Sequence, residues 1–355
     1  MTGALRSHPM QAGWIDRPHR SLELGDFALA GGGSIRDFRL SYVVHGELDA
    51  ARSNAVLALC ALGSTHHRLD FLIGPGRALD PGRYCVICVD AIGNGLTSSP
   101  SNSAAQPGLQ FPRFAVADMV ESQRRLVQEH FGVERLHAVV GASMGGMQAL
   151  QWAVSHPRAM ARVVAMTPMA KTTAWSAAVN EIGRRALMAD PAWAEPGNDS
   201  AGWPAWVPLM QLVSGRTPQA LEAEFSGAAA LHEWLERRVA WQRATGLDAV
   251  DWVYQTWAYD AHDIGAGPVF GGDTAAALAS IRAEALVLAP PLDLFNPAEA
   301  ARAAADGIPG ARFVPIASMQ GHQSASAARP EDALHLNRTI GEFLGMAMDS
   351  GKETI

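Results

Sequence analysis

The pentapeptide Gly141-Ala142-Ser143-Met144-Gly145 lies where an apolar run, Leu136-His137-Ala138-Val139-Val140, gives way to a helical pattern. A G-x-S-x-G motif between a strand and a helix constrains the chain more than any other feature. So sharp a turn forces the serine into a strained backbone conformation, and only glycine leaves room two residues to either side. The serine oxygen is lifted clear of the sheet, and the next N–H stands at a helix N-terminus, facing a reacting carbonyl. The bland alternative is a glycine-rich turn without chemistry. The strand before it and the periodic helix after it favour Ser143 as a nucleophile.

The surrounding pattern alternates strands and helices. Residues 22–30 and 38–44 alternate apolar and polar, as half-exposed antiparallel strands do, with the turn Gly31-Gly32-Gly33 between them. Residues 55–62 and 84–92 are continuous apolar runs, expected of central parallel strands, with a short connection at 71–79. Val116, Val120, Val127 and Phe131 recur at helical spacing, predicting a helix over 115–131. After the serine, Met147, Leu150 and Val154 mark one buried helix face, and Pro157 stops it. Residues 163–166 then read as a strand. This order predicts an open, mostly parallel α/β sheet.

From about Lys171 to Ala279 the pattern turns helical and holds eight of the chain's ten tryptophans. The expected organisation is a core of residues 1–170 and 280–355 carrying a helical lid over 171–279. Most of these tryptophans should anchor that insertion, and some should line a pocket over the sheet edge where ligands bind. Strand character returns at 285–289 and 312–316, with helices at 297–305 and from Glu331 to about Met346.

Bulk properties exclude several classes. With 48% hydrophobic and 18% charged residues, the 355-residue chain has ample core material. A net charge of -7 offers no basic face for nucleic acid and no polybasic tract for a membrane surface. Residues 1–20 are polar, carry His8, Pro9, Pro18 and His19, and contain no apolar signal-peptide core. Cys85 and Cys88 form a C-x-x-C, but residues three apart on a strand face opposite ways, so a shared metal or disulfide is not expected. A reducing cytoplasm is the simplest compartment.

A serine needs a general base, and the base needs an orienting acid. In α/β-hydrolases these follow in the order serine, acid, histidine, the acid after a late strand and the histidine after the last one. Asp293 follows the strand at 285–289, and His322 follows that at 312–316 in Met319-Gln320-Gly321-His322. Asp260, Asp263 and Asp273 lie in or near the insertion and fit less well. The loop Cys60-Ala61-Leu62-Gly63-Ser64 offers the Leu62 N–H as one oxyanion donor, with Met144 supplying the other. His66 and His67 with Asp70 invite a metal reading, but adjacent histidines rarely converge and nothing resembles H-E-x-x-H, so no metal is expected.

The run from Val139 to Ala153, Val-Val-Gly-Ala-Ser-Met-Gly-Gly-Met-Gln-Ala-Leu-Gln-Trp-Ala, closely resembles the elbow of the homoserine O-acetyltransferase family. Asn180-Glu181-Ile182-Gly183-Arg184 through Asp190-Pro191, Asp293-Leu294-Phe295 before Pro297, and Gly321-His322 extend the resemblance over nearly the whole chain. It implies an α/β-hydrolase fold, a Ser-His-Asp triad, an acyl-serine intermediate and a homodimer paired through insertion helices. Two departures bear on the substrate. Residues 93–100 lack the cysteine of the family's corresponding stretch. The family members that acylate homoserine carry an aspartate directly after the catalytic histidine to hold the substrate ammonium, and here that residue is Gln323. A neutral amide cannot make that charge-assisted contact. Arg184 and Arg216 are candidates for a substrate carboxylate.

The expected function is therefore hydrolysis of short-chain acyl esters, a small-molecule reaction needing no cofactor. Acyl transfer to an alcohol, with acyl-CoA as co-substrate, is the alternative. A non-catalytic ligand-binding scaffold is a third reading, disfavoured by the complete triad.

Overall fold

The computed structural model describes residues 9–345. Part of the polar N-terminal stretch, including His8, and the expected helix end at Met346 lie outside the described residues. The chain opens with β1 (Arg20–Ala28) and β2 (Ser34–His45), joined through the glycine turn. There follow β3 (Ala55–Leu59), β4 (Cys85–Val89), α1 (Val116–Arg124), β5 (Leu136–Ala142), α2 (Met144–Ser155) and β6 (Met160–Met166). Helices α3 (Ala174–Met188), α4 (Trp203–Met210), α5 (Pro218–Glu224), α6 (Ala228–Ala244), α7 (Ala249–Asp260) and α8 (Thr274–Ala279) come next, with no strand among them. The alternation resumes with β7 (Glu284–Ala289), α9 (Ala298–Gly307), β8 (Arg312–Pro315) and α10 (Pro330–Phe343).

The strands form one sheet in the order β1-β2-β4-β3-β5-β6-β7-β8. β2 runs antiparallel to β1 and β4, and every pairing from β4 to β8 is parallel. Burial on both faces explains the unbroken apolar runs: every residue of β3 and β4 is buried. Alternate residues serve opposite layers. Leu57, Ile87 and Val139 pack with Met147 and Trp152 of α2, whereas Val56, Cys88 and Val140 pack with Leu336 and Ile340 of α10. Cys85 and Cys88 fall in these two different layers and both thiols are free, as the strand reading requires.

The expected helix over 115–131 is divided. Regular α-helix ends at Arg124, and Arg125–His130 continue as a wider π-turn, with Phe131 N–H reaching back to Leu126 O at 3.1 Å. In the segment between β6 and β7, Trp203, Trp206 and Trp252 form an edge-to-face chain with centroids 5.2 and 5.1 Å apart. All three are buried and anchor helix packing. Gly183 makes room for them, because a Cβ there would stand 2.6 Å from the Trp252 ring.

Candidate active site

The elbow is built from backbone contacts that only glycine permits. A Cβ on Gly141 would lie 2.0 Å from Gly145 O, one on Gly145 2.7 Å from Leu59 O, and one on Gly146 2.8 Å from Met166 O. The end of β5 and the start of α2 are thereby pressed against β3 and β6. Ser143 takes φ 59° and ψ −124°, a costly conformation for a residue with a side chain. Its N–H is held by Met166 O at 2.9 Å.

Two loops at the ends of neighbouring parallel strands complete the site. Asp293 follows β7; its Oδ1 accepts the N–H groups of Phe295 and Asn296 at 2.9 and 2.8 Å, which aims Oδ2 at His322. His322 sits in the short 3-10 turn Gly321–Ser326 that follows β8. Its Nδ1 lies 2.7 Å from Asp293 Oδ2, and its Nε2 2.8 Å from Ser143 Oγ. An ionised carboxylate only accepts, so Nδ1 carries the proton and Nε2 is the acceptor for the serine hydroxyl. The Phe295 ring stands edge-on to the imidazole, centroids 5.2 Å apart, limiting its swing. All three side chains are buried. The three residues singled out from chain order are thus joined in one hydrogen-bonded line.

The turn after β3 directs its donors in an ordered way. The Ala61 N–H bonds Ser64 Oγ at 2.8 Å, Ser64 N–H bonds Ala61 O at 3.2 Å, and Gly63 N–H bonds Gln255 Oε1 at 2.9 Å. Of the four residues, Leu62 alone keeps an N–H with no acceptor among the described residues. Met144 opens α2, where helix geometry supplies no intrahelical acceptor for its N–H. Buried Gln148 links the two segments, its Nε2 donating to Cys60 O at 3.1 Å and Met144 O at 3.2 Å.

Other expected residues fall elsewhere. Arg184 bonds Asp260 Oδ2 at 2.6 Å and Glu181 Oε2 at 2.9 Å, so its guanidinium ties α3 to α7. Arg216 pairs with Glu224 at 3.1 Å. Gln323 is half-buried, next to His322 in the same turn. His67 Nδ1 pairs with Asp70 Oδ2 at 2.7 Å, while His66 turns to Asp90, so the adjacent histidines do not converge.

Several contributors left no mark in the sequence reading. Tyr259, fully buried on α7, donates to Asn296 Oδ1, the residue whose backbone N–H is bound by Asp293 Oδ1. Burial pushes its phenol far above the ordinary tyrosine range, which keeps the hydroxyl proton in place. Only its membership of an aromatic helix was legible beforehand. The tryptophans between β6 and β7 divide: Trp241 lines a cavity of about 440 Å³ beside Gly63, Ser64 and Ser326, while Trp175 donates from Nε1 to Leu294 O at 2.8 Å, next to Asp293.

A strained serine between parallel strands, with its histidine and aspartate on later strand ends, defines an α/β hydrolase. Residues 63–196 match the alpha/beta hydrolase fold family. The chain is 32% identical to the ethyl acetate hydrolase of Pseudomonas veronii, over 92% of this chain and 95% of that protein. It is 31% identical to the homoserine O-acetyltransferase of Mesorhizobium japonicum, over 88% and 90% of the two chains. Among solved structures it is similar to the acetyl esterase MekB, with a TM-score of 0.86, 29% identity, and 93% and 97% of the two chains covered. The chain belongs to this homoserine O-acetyltransferase-like family of α/β hydrolases, which includes proteins named as acetyltransferases and as esterases. Against other homoserine O-acetyltransferases it spans less than half their length, 46% for that of Methanococcoides burtonii and 37% for that of Methanobrevibacter ruminantium. No helix among the described residues is long and apolar enough to cross a membrane.

Proposed function

We propose that this protein is a serine carboxylic ester hydrolase acting on short-chain acyl esters. The observation that carries the reading is the Ser143–His322–Asp293 line, with Gln323 rather than a carboxylate beside the histidine. Ser143 Oγ attacks the ester carbonyl as its proton passes to His322 Nε2, and Asp293 stabilises the imidazolium. The N–H groups of Leu62 and Met144 receive the developing oxyanion, each worth about 3 kcal/mol to the transition state. His322 then protonates the departing alcohol, leaving an acyl-Ser143. Water, deprotonated by His322, attacks that ester, and the proton returns to Ser143 as the acid leaves.

An acetyl chain suits the names of two full-length relatives, an ethyl acetate hydrolase and an acetyl esterase. The second reading, transfer from acyl-CoA to an alcohol such as homoserine, is favoured by the relatives named homoserine O-acetyltransferase. Two observations weigh against it as the main activity. Gln323 offers no negative charge to an ammonium, and Arg184 is already paired with two carboxylates. Three buried, unpaired thiols suit a reducing compartment such as the cytoplasm. A homodimer through insertion helices, implied by family resemblance, is supported by exposed Ile182 and Met188 on α3.

Incubation with ethyl acetate, and separately with acetyl-CoA with and without homoserine, tests the choice. Hydrolysis of the ester with acceptor-independent release of CoA is expected. CoA release that depends on homoserine, with little ester hydrolysis, would reverse the assignment.

A further inference from the structure

Three segments far apart in the chain each bring one nitrogen or oxygen atom to a common point. His19 Nε2 lies 3.0 Å from His66 Nδ1, and His66 Nδ1 lies 3.0 Å from Asp90 Oδ2. The third side of the triangle, from His19 Nε2 to Asp90 Oδ2, is 3.7 Å. His19 immediately precedes β1, His66 begins the 3-10 turn His66–Leu72, and Asp90 follows the last residue of β4.

Hydrogen bonding alone serves this triangle poorly. A ring nitrogen offers one proton or one lone pair along one direction, yet two partners stand 3.0 Å from His66 Nδ1. If that nitrogen gives a proton to Asp90, it has no lone pair for His19. If it accepts from His19, its lone pair is spent and the Asp90 oxygen faces it without a proton between them. A cation at the centre satisfies all three atoms together. With ligand bonds of about 2.0–2.1 Å, tetrahedral corners stand about 3.3 Å apart, a spacing that the observed sides bracket.

We propose that His19 Nε2, His66 Nδ1 and Asp90 Oδ2 are three ligands of a binding site for a divalent transition-metal ion of the zinc class. Two imidazoles with one carboxylate suit such ions better than calcium or magnesium, which prefer all-oxygen sites. The carboxylate is held by an outer layer of donors, as metal ligands usually are. Asp90 Oδ1 accepts the His66 N–H at 2.8 Å and Asn94 Nδ2 at 3.0 Å, and Oδ2 accepts Ser41 Oγ at 2.8 Å. Asp90 is fully buried and His66 nearly so, whereas His19 borders a cavity of about 340 Å³ through which water can supply a fourth ligand. Asn94 Nδ2 also donates to Ser64 O at 3.1 Å, so a bound ion would clamp the segment before β1 against the turn that follows β3. Its role is to hold these segments, and no step of ester cleavage passes through it.

Tag-free protein stripped with EDTA and titrated with Co2+ tests the site directly. One Co2+ per chain, with visible d–d bands that Zn2+ abolishes on displacing the ion, is expected. His19→Gln should weaken binding by at least about tenfold, whereas His67→Gln, whose ring pairs with Asp70, should leave it unchanged. Zn2+ should raise the wild-type Tm and not that of His19→Gln, since only a ligand that binds the folded state stabilises it. No Co2+ bound by the wild type, or equal binding by His19→Gln, would overturn the proposal and leave a shared proton at the centre of the triangle.

Discussion

Gln255 Oε1 accepts the Gly63 N–H at 2.9 Å, and its Nε2 donates to Ile92 O at 3.1 Å. Helix α7 therefore holds the turn that carries the Leu62 N–H, and does so through a fully buried amide. The catalytic strand ends and the helices above them form one hydrogen-bonded unit.

Gln255→Leu should lower kcat for p-nitrophenyl acetate by about tenfold, a fraction of the roughly 3 kcal/mol that an oxyanion donor supplies, with KM little changed. Steady-state kinetics on the folded variant decide it. An unchanged kcat would show that the turn keeps its shape without α7.

Gly145→Ala places a methyl group 2.7 Å from Leu59 O and 3.0 Å from Cys60 O, both backbone atoms of packed segments. Neither can retreat cheaply, so a loss of about 1–3 kcal/mol or more in unfolding free energy is expected. Urea unfolding measures it. Gly227→Ala, with nothing within 4 Å of the added carbon but a positive φ, is the comparison that isolates crowding from backbone strain.

Tyr259→Phe removes the donor to buried Asn296 Oδ1, whose own amide is committed to Thr167 O at 2.7 Å. An acceptor stranded in the core costs about 1–3 kcal/mol. Because the Asn296 N–H also holds Asp293 Oδ1, labelling of Ser143 by a fluorophosphonate should slow as well. Full stability with an unchanged labelling rate would remove Tyr259 from the site.

His262 is fully enclosed and donates from Nε2 to Met169 O at 3.2 Å; burial pushes its pKa down to about 4. The unfolded chain takes up this proton near the ordinary histidine value of about 6.5. Between the two values the unfolded state binds more protons, so stability is lost as pH is lowered through that window and is fully present above it. The difference corresponds to about 3 kcal/mol by pH 4. His262→Gln should flatten the fall of unfolding free energy between pH 6.5 and pH 4, and an unaltered slope would assign it to other groups.

The triad was legible because each member carries a local signal. Ser143 lies in the elbow, and Asp293 and His322 follow late strands in the required order. Unbroken apolar runs gave away the buried strands β3 and β4, since both faces of the sheet are covered. What stayed hidden depends on contacts across the fold. Gly63 and Gln255 are 192 residues apart, and no spacing rule links a turn glycine to a helix glutamine. The pair Arg184–Asp260 likewise turns a candidate substrate ligand into a brace between two helices. His19, His66 and Asp90 meet only because β2 lies between β1 and β4 in the sheet while β3, whose following turn carries His66, pairs with the other side of β4.

Mass spectrometry of the Ser143 peptide after rapid quenching with an acetyl ester tests the central claim most directly. One acetyl group on Ser143, turned over by water and absent together with activity in Ser143→Ala, is expected. Full turnover by Ser143→Ala, or acetylation of some other residue at the rate of catalysis, would contradict it.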